Sequence, residues 1–131
     1  MQTRQFSLML VRSLPALQAF YRQLLTATKP VAFREGEWRL CERTGWPGSP
    51  SHQNLVAWCW RKGEDRHLIV VNLSDTGSQG HVLVPWDDVS GRLWRLTEAF
   101  TGEVYERDGN ELRSPGLYVD LQPWGLHVLS F

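Results

Sequence analysis

The chain has no excess charge of either sign: fourteen Lys and Arg stand against fourteen Asp and Glu, for a formal net charge of zero. A domain without a positive field has little to attract a phosphate backbone or an anionic bilayer, so nucleic acid and membrane surfaces are not expected partners. Cysteine is scarce. Cys41 and Cys59 are the only two, too few for a disulfide scaffold and wrongly spaced for a zinc site. They read as buried reduced thiols, and a hairpin centred near Pro50 would set them opposite each other. No stretch approaches the roughly 20 apolar residues of a spanning helix. The short apolar run Phe6–Val11, broken by Arg12, imitates a signal peptide without completing one, so a cytoplasmic location is expected and export is the lesser alternative.

Catalytic patterns are missing as well. His52, His67, His81 and His127 are scattered over separate segments with no His-x-x-x-His or Cys-x-x-Cys pair, so neither a metal nor a cofactor is expected. Asp87 and Asp88 follow Trp86 on a predicted loop and lack the spaced Asp/Asn-Gly pattern of a cation loop; they read as solvated turn residues. Glycoside hydrolysis requires two carboxylates about 5 to 9 Å apart in a cleft. Glu103, Glu106, Asp108 and Glu111 cluster instead around one predicted turn. With no Gly-x-Ser-x-Gly elbow, Gly-x-Gly-x-x-Gly turn or phosphate loop, the sequence offers no active site.

What is present is a core-forming, β-patterned chain. Hydrophobic residues make up 42% and charged ones 21%, which excludes a disordered polar chain. Leu14, Leu17, Phe20, Tyr21, Leu24 and Leu25 recur at helical spacing, with Ser13 as cap and Pro15 in the first turn, predicting one amphipathic helix over Leu14–Thr28 that Lys29 and Pro30 stop. After it come predicted strands at Glu37–Arg43, Leu55–Arg61, His67–Leu73, His81–Trp86, Arg92–Phe100, Glu103–Arg107, Leu117–Leu121 and Leu126–Phe131. In the last pair Leu117, Val119 and Leu121 alternate with Tyr118 and Asp120, and Pro123-Trp124-Gly125 makes the corner. Asp108-Gly109 is the clearest hairpin signal. The pattern predicts an all-β fold: an antiparallel sandwich of about eight strands, Greek-key in type, preceded by one N-terminal amphipathic helix.

Leu68–Leu73 is nearly continuous in apolar character, as a central strand would be. The register mirrored about Pro50 places Trp38, Leu40, Trp58 and Trp60 on one face, expected to be the heart of the core. Seven tryptophans are many for this length. Trp38, Trp58, Trp60, Trp94 and Trp124 lie in or beside strands and read as core. Trp46 and Trp86 sit in turn-like contexts, so these two are the candidates for an exposed platform that stacks on sugar rings.

In order and spacing the segments resemble the C-terminal region of the α-amylase superfamily of glycoside hydrolases. Ser13–Leu25, with its Tyr21-Arg-Gln-Leu24 core, looks like the last helix of that family's (β/α)8 barrel, and Glu35–Leu40 is similar to the start of its C-terminal β-domain. Asn54–Trp58 and His67–Ser74 look like strands of that domain, and Leu121–Val128 resembles its closing Leu-x-Pro-Trp pattern. The resemblance divides the chain into 1–30, a leading segment with the barrel helix, and 31–131, an amylase-type C-terminal β-sandwich. It implies a non-catalytic accessory domain whose partner is the catalytic barrel of a parent enzyme acting on α-glucosides. The family's catalytic carboxylates come from barrel strands, so none carries over. Met1–Arg12 does not match the barrel sequence expected upstream, which implies a fragment or a shortened reading frame, and the Trp46–Pro50 loop has no counterpart. The alternative is a carbohydrate-binding module that holds α-glucan on Trp46 and Trp86. A helix whose apolar stripe lacks its barrel is expected to pair with a second copy, giving a homodimer.

Overall fold

The computed structural model describes residues 14–131; the Ser13 cap and the apolar run before Arg12 lie outside the described residues. Helix α1 spans Leu14–Ala27. It ends where the Thr28 hydroxyl folds back to donate to the Leu24 carbonyl at 2.9 Å, two residues before Pro30 removes the next donor. A second short helix, α2 (Ala32–Glu35), follows. The sequence pattern does not announce it.

Nine strands come next: β1 (Glu37–Leu40), β2 (Arg43–Thr44), β3 (Leu55–Lys62), β4 (Asp65–Asn72), β5 (Ser78–Val82), β6 (Leu93–Glu98), β7 (Val104–Asp108), β8 (Leu117–Leu121) and β9 (Leu126–Ser130). They form an open, all-antiparallel sandwich of a six-stranded sheet, ordered β1-β3-β4-β9-β6-β7, and a three-stranded sheet, ordered β2-β5-β8. The all-β expectation holds. Leu55, Leu68, Val70, Leu96 and Leu129 of the large sheet meet Val82, Leu117, Val119 and Leu121 of the small one in a single core. Trp86 and Trp94 seal one end, each edge-on to Phe131 at centroid distances of 5.1 and 5.8 Å.

Four expectations are corrected. Glu37–Arg43 is two strands, because at Cys41 and Glu42 the chain crosses between sheets: Cys41 N–H still bonds Ala57 in the large sheet at 2.9 Å, while Glu42 O accepts from Leu83 beside the small one. The strand foreseen at His81–Trp86 lies at Ser78–Val82. Leu83 and Val84 donate to Glu42 and Leu112 outside the ladder, and Pro85 has no N–H to continue it. Asp108-Gly109 is no hairpin. Asp108 Oδ1 accepts from Asn110 N–H at 2.8 Å and caps a short helical turn that carries the chain to β8 in the other sheet. Glycine is required there by space, since a Cβ on Gly109 would stand 1.6 Å from the Val89 carbonyl oxygen.

The fourth correction concerns layer and register. Trp38 pairs with Trp60 and Leu40 with Trp58, one face as foreseen, yet this is the outer face of the sheet. Leu55, Ala57 and Cys59 face the core instead. Alternation shows which residues share a face but not which face is covered when both are apolar. Cys59 stands opposite Arg39 and Cys41 opposite Ala57, so the register is two residues from the expected one and the thiols lie diagonally on the buried face. The Cys59 thiol, by hydrogen bonding, and burial push the Cys41 thiol well above its ordinary range.

Two buried polar side chains tie the layers together. Asn72, fully buried, donates through Nδ2 to the carbonyls of Thr76, Leu121 and Gln122 at 2.8 to 3.1 Å, fixing the end of β4 to the β8–β9 corner. Glu98 is 2% exposed. Its Oε1 accepts from Phe100 and Thr101 N–H at 2.7 and 3.1 Å and its Oε2 from Val128 N–H at 2.7 Å, closing the β6–β7 turn and pinning β9.

Candidate functional site

The most distinctive surface is the outer face of the six-stranded sheet. Period-two alternation through the pairings Trp38↔Trp60, Leu40↔Trp58, Val56↔Val71, Trp58↔Ile69, Ile69↔Val128 and Val71↔Leu126 carries an unbroken apolar field across β1, β3, β4 and β9. Helix α2 covers one end. Ala32 N–H donates to Asp65 Oδ2 at 2.9 Å, Asp65 Oδ1 holds His67 Nε2 at 2.6 Å, and Phe33 lies against His67 and Trp60. The opposite margin is open: Trp38 is 49% and Leu40 65% exposed, beside half-buried Trp58 and Trp60. Burying one large apolar side chain is worth about 1.5 to 3 kcal/mol. A partner seated here would gain several such contributions.

Helix α1 presents a second apolar stripe. Phe20 stacks on Phe100 at 5.8 Å and 7°, while Tyr21 and Leu25 remain exposed.

The residues singled out from sequence are not brought together. Trp46 is 39% exposed and leans on His81 and Tyr118 at centroid distances of 5.0 and 6.1 Å, over the outer face of the small sheet. Trp86, the other candidate for an exposed platform, is instead a core residue at 5% exposure. Its backbone belongs to a turn, but the turn passes over the end of the sandwich and lays the indole on Phe131.

Asp87 and Asp88 are bound by arginines rather than merely solvated. Asp87 pairs with Arg113 at 2.8 Å, and Asp88 accepts from Arg66 and Arg61 at 2.8 to 3.0 Å. These hydrogen bonds, Arg66 first, hold the Asp88 carboxyl far below the usual carboxylate range. Arg66 is 2% exposed and its guanidinium lies 4.8 Å from the Trp94 ring centre. The cluster is a staple between β4 and the loop before β6.

Of the other carboxylates, Glu103 accepts from the Tyr105 hydroxyl, Glu106 stands opposite Arg95, and Asp108 caps its helical turn. No group of three or more His, Cys, Asp or Glu among the described residues is placed to hold a metal. No helix among them is long and apolar enough to cross a membrane.

No protein-family model matches the sequence, and no curated protein matches it either. Solved structures do. A noncanonic maltogenic α-amylase, AmyB from Thermotoga neapolitana, superposes with a TM-score of 0.64 at 15% identity over 86% of this chain and 25% of its own. The chain shares its fold with one part of an α-amylase. It spans about a quarter of that enzyme's length. AmyP, solved with maltose, aligns over 76% of this chain and 17% of its own at 17% identity and a TM-score of 0.49.

Proposed function

We propose that this chain is a non-catalytic accessory β-sandwich of an α-amylase-family enzyme, packed through the outer face of its large sheet against a (β/α)8 catalytic barrel that it helps to hold together. The observation that carries this reading is the open margin of that face, where Trp38 and Leu40 stand exposed beside half-buried Trp58 and Trp60, while Ile69 and Val128 further along are buried. Adjoining large apolar side chains left open to water mark an interaction surface. Supporting it, the fold recurs as about a quarter of an amylase chain, and α1 leaves a separate pair of large apolar side chains, Tyr21 and Leu25, exposed. The parent enzyme then acts on α-glucosides with barrel residues, and this chain supplies stability rather than a reacting group.

The test has two parts. Purified chain mixed with starch or maltooligosaccharides should release no reducing ends; turnover that vanishes on Glu103→Gln would overturn the non-catalytic reading. Light scattering should show concentration-dependent association of the free chain through its uncovered apolar surfaces, reduced in the Trp38→Lys/Leu40→Lys double variant. A wild type that stays monomeric at every concentration contradicts the docking face. A second reading, a carbohydrate-binding module, rests on the exposed Trp46, beside which the Tyr118 hydroxyl donates to Gln79 Oε1 at 2.8 Å.

A further inference from the structure

The six-stranded sheet ends in β1, and no strand among the described residues pairs with its free edge. The ladder decides which backbone groups stand there. Cys41 N–H bonds the Ala57 carbonyl at 2.9 Å, and hydrogen-bonded pairs alternate with non-hydrogen-bonded ones along an antiparallel ladder. Glu37 and Arg39 therefore turn their N–H and C=O groups toward β3, while Trp38 and Leu40 turn theirs away from it. No other hydrogen bond among the described residues engages the backbone of Trp38 or Leu40. The edge is a row of unpaired donors and acceptors to which another strand can be added.

Exposed edges are ordinarily guarded by proline, a bulge or charge that repels a second strand. β1 has no proline, and its charges alternate in a way that attracts its own copy. All of its residues are exposed, with Trp38 and Leu40 on the outer face of the sheet and Glu37 and Arg39 on the other. Neither Glu37 nor Arg39 has a salt-bridge partner among the described residues; the Arg39 guanidinium donates to the Pro85 carbonyl at 3.3 Å.

These side chains select one register. Two β1 strands laid antiparallel about a two-fold axis at Trp38 exchange both N–H···O=C bonds of Trp38, and Leu40 N–H meets the partner's Gly36 carbonyl. Glu37 then falls opposite the partner's Arg39, once in each direction, at the non-hydrogen-bonded position where side chains stand closest. On the outer face Trp38 meets the partner's Trp38, which carries the apolar margin from one copy into the next. The neighbouring axis, at Arg39, would set Arg39 against the partner's Arg39, and like charges directly opposite destabilise a pair. A two-fold interface must be complementary to itself, and β1 is so about Trp38.

We propose that β1 pairs edge to edge with β1 of a second copy, joining the two large sheets in a Trp38-centred register held by reciprocal Glu37–Arg39 ion pairs. The pairing runs in the plane of the sheet, whereas a barrel would stack on its face, so this inference does not rest on the docking reading. Sedimentation equilibrium of the full chain tests it by charge exchange. Wild type should dimerise reversibly. Glu37→Arg alone and Arg39→Glu alone each set like charges opposite at both symmetric positions, so each should weaken dimerisation about tenfold. An equimolar mixture of the two variants brings opposite charges together again and should dimerise like the wild type, as should the Glu37→Arg/Arg39→Glu double variant. Both positions are exposed, and equal urea midpoints identify the variants as folded. Association that is equal in wild type and every variant overturns edge pairing and leaves the docking face as its route. Single variants that stay monomeric when mixed also overturn the proposal, as does a wild type that is monomeric at every concentration.

Discussion

Replacing Glu98 should be among the most damaging single changes in the molecule. The side chain is almost fully buried and its two oxygens accept three backbone N–H groups from two elements. In Glu98→Ala the Val128 N–H is left buried without a partner, at about 1 to 3 kcal/mol, while the Phe100 and Thr101 amides, nearer to solvent, each lose about 0.5 to 1.5 kcal/mol. The sum is about 2 to 6 kcal/mol. For a domain of this size that corresponds to a fall in Tm of roughly 7 to 22 °C. Glu98→Gln separates the contributions. Its amide oxygen can keep the Phe100 and Thr101 bonds, but its NH2 then faces the Val128 N–H, donor against donor, for about 1 to 3 kcal/mol. Urea unfolding followed by tryptophan fluorescence should place the stabilities in the order wild type, Gln, Ala with similar m-values. Glu98→Ala within about 0.5 kcal/mol of wild type would refute the reasoning, because no pairing of those amides could then be contributing.

Other consequences can be checked in the same preparations. Asp88→Asn should destabilise by about 1 to 3 kcal/mol, since it weakens the pairing of buried Arg66 while Glu64 and water offset part of the loss; no change in the urea midpoint would remove the staple from the account. Because the folded Asp88 carboxyl is held below its ordinary range, its contribution is fully present above the unfolded pKa near 4 and is lost as pH falls through the folded value. An acid titration of Asp88→Asn should therefore show less loss of stability below about pH 4 than the wild type. Cys41 and Cys59, both buried and unpaired, should react with a thiol reagent only after denaturant is added; rapid labelling of folded protein would contradict their packing. Gly109→Ala should fail to fold or lose most of its stability, as its methyl would occupy the Val89 carbonyl position; a well-folded variant with normal Tm would show that this crossing is not closely packed.

How much of this was legible in the sequence depended on the question asked. Leu117, Val119 and Leu121 alternate cleanly, and all three are buried in β8. The near-continuous run around Leu68 is indeed a central strand with covered residues on both faces. Trp38 was put in the wrong layer because its neighbour β3 is apolar on both faces, with Val56, Trp58 and Trp60 on one and Leu55, Ala57 and Cys59 on the other, and only the position of the three-stranded sheet decides which face is inside. Trp86 became a platform candidate from its turn-like neighbours, which describe the backbone and not where the indole lands; the indole lies in the core. Asp108-Gly109 satisfies the chemistry of a hairpin and of a helix cap, and the contact with Val89 favours the second.

The central claim is that the outer sheet face docks on a catalytic barrel. Its most direct test replaces Leu40 with the photo-crosslinking amino acid benzoylphenylalanine, irradiates the source cells and identifies the joined peptides by mass spectrometry. The expected result is a crosslink to a helix of a (β/α)8 glycoside hydrolase barrel, whether on the same polypeptide or on a separate one. Crosslinks only to other copies of this chain, or to a protein of another class, would contradict the account.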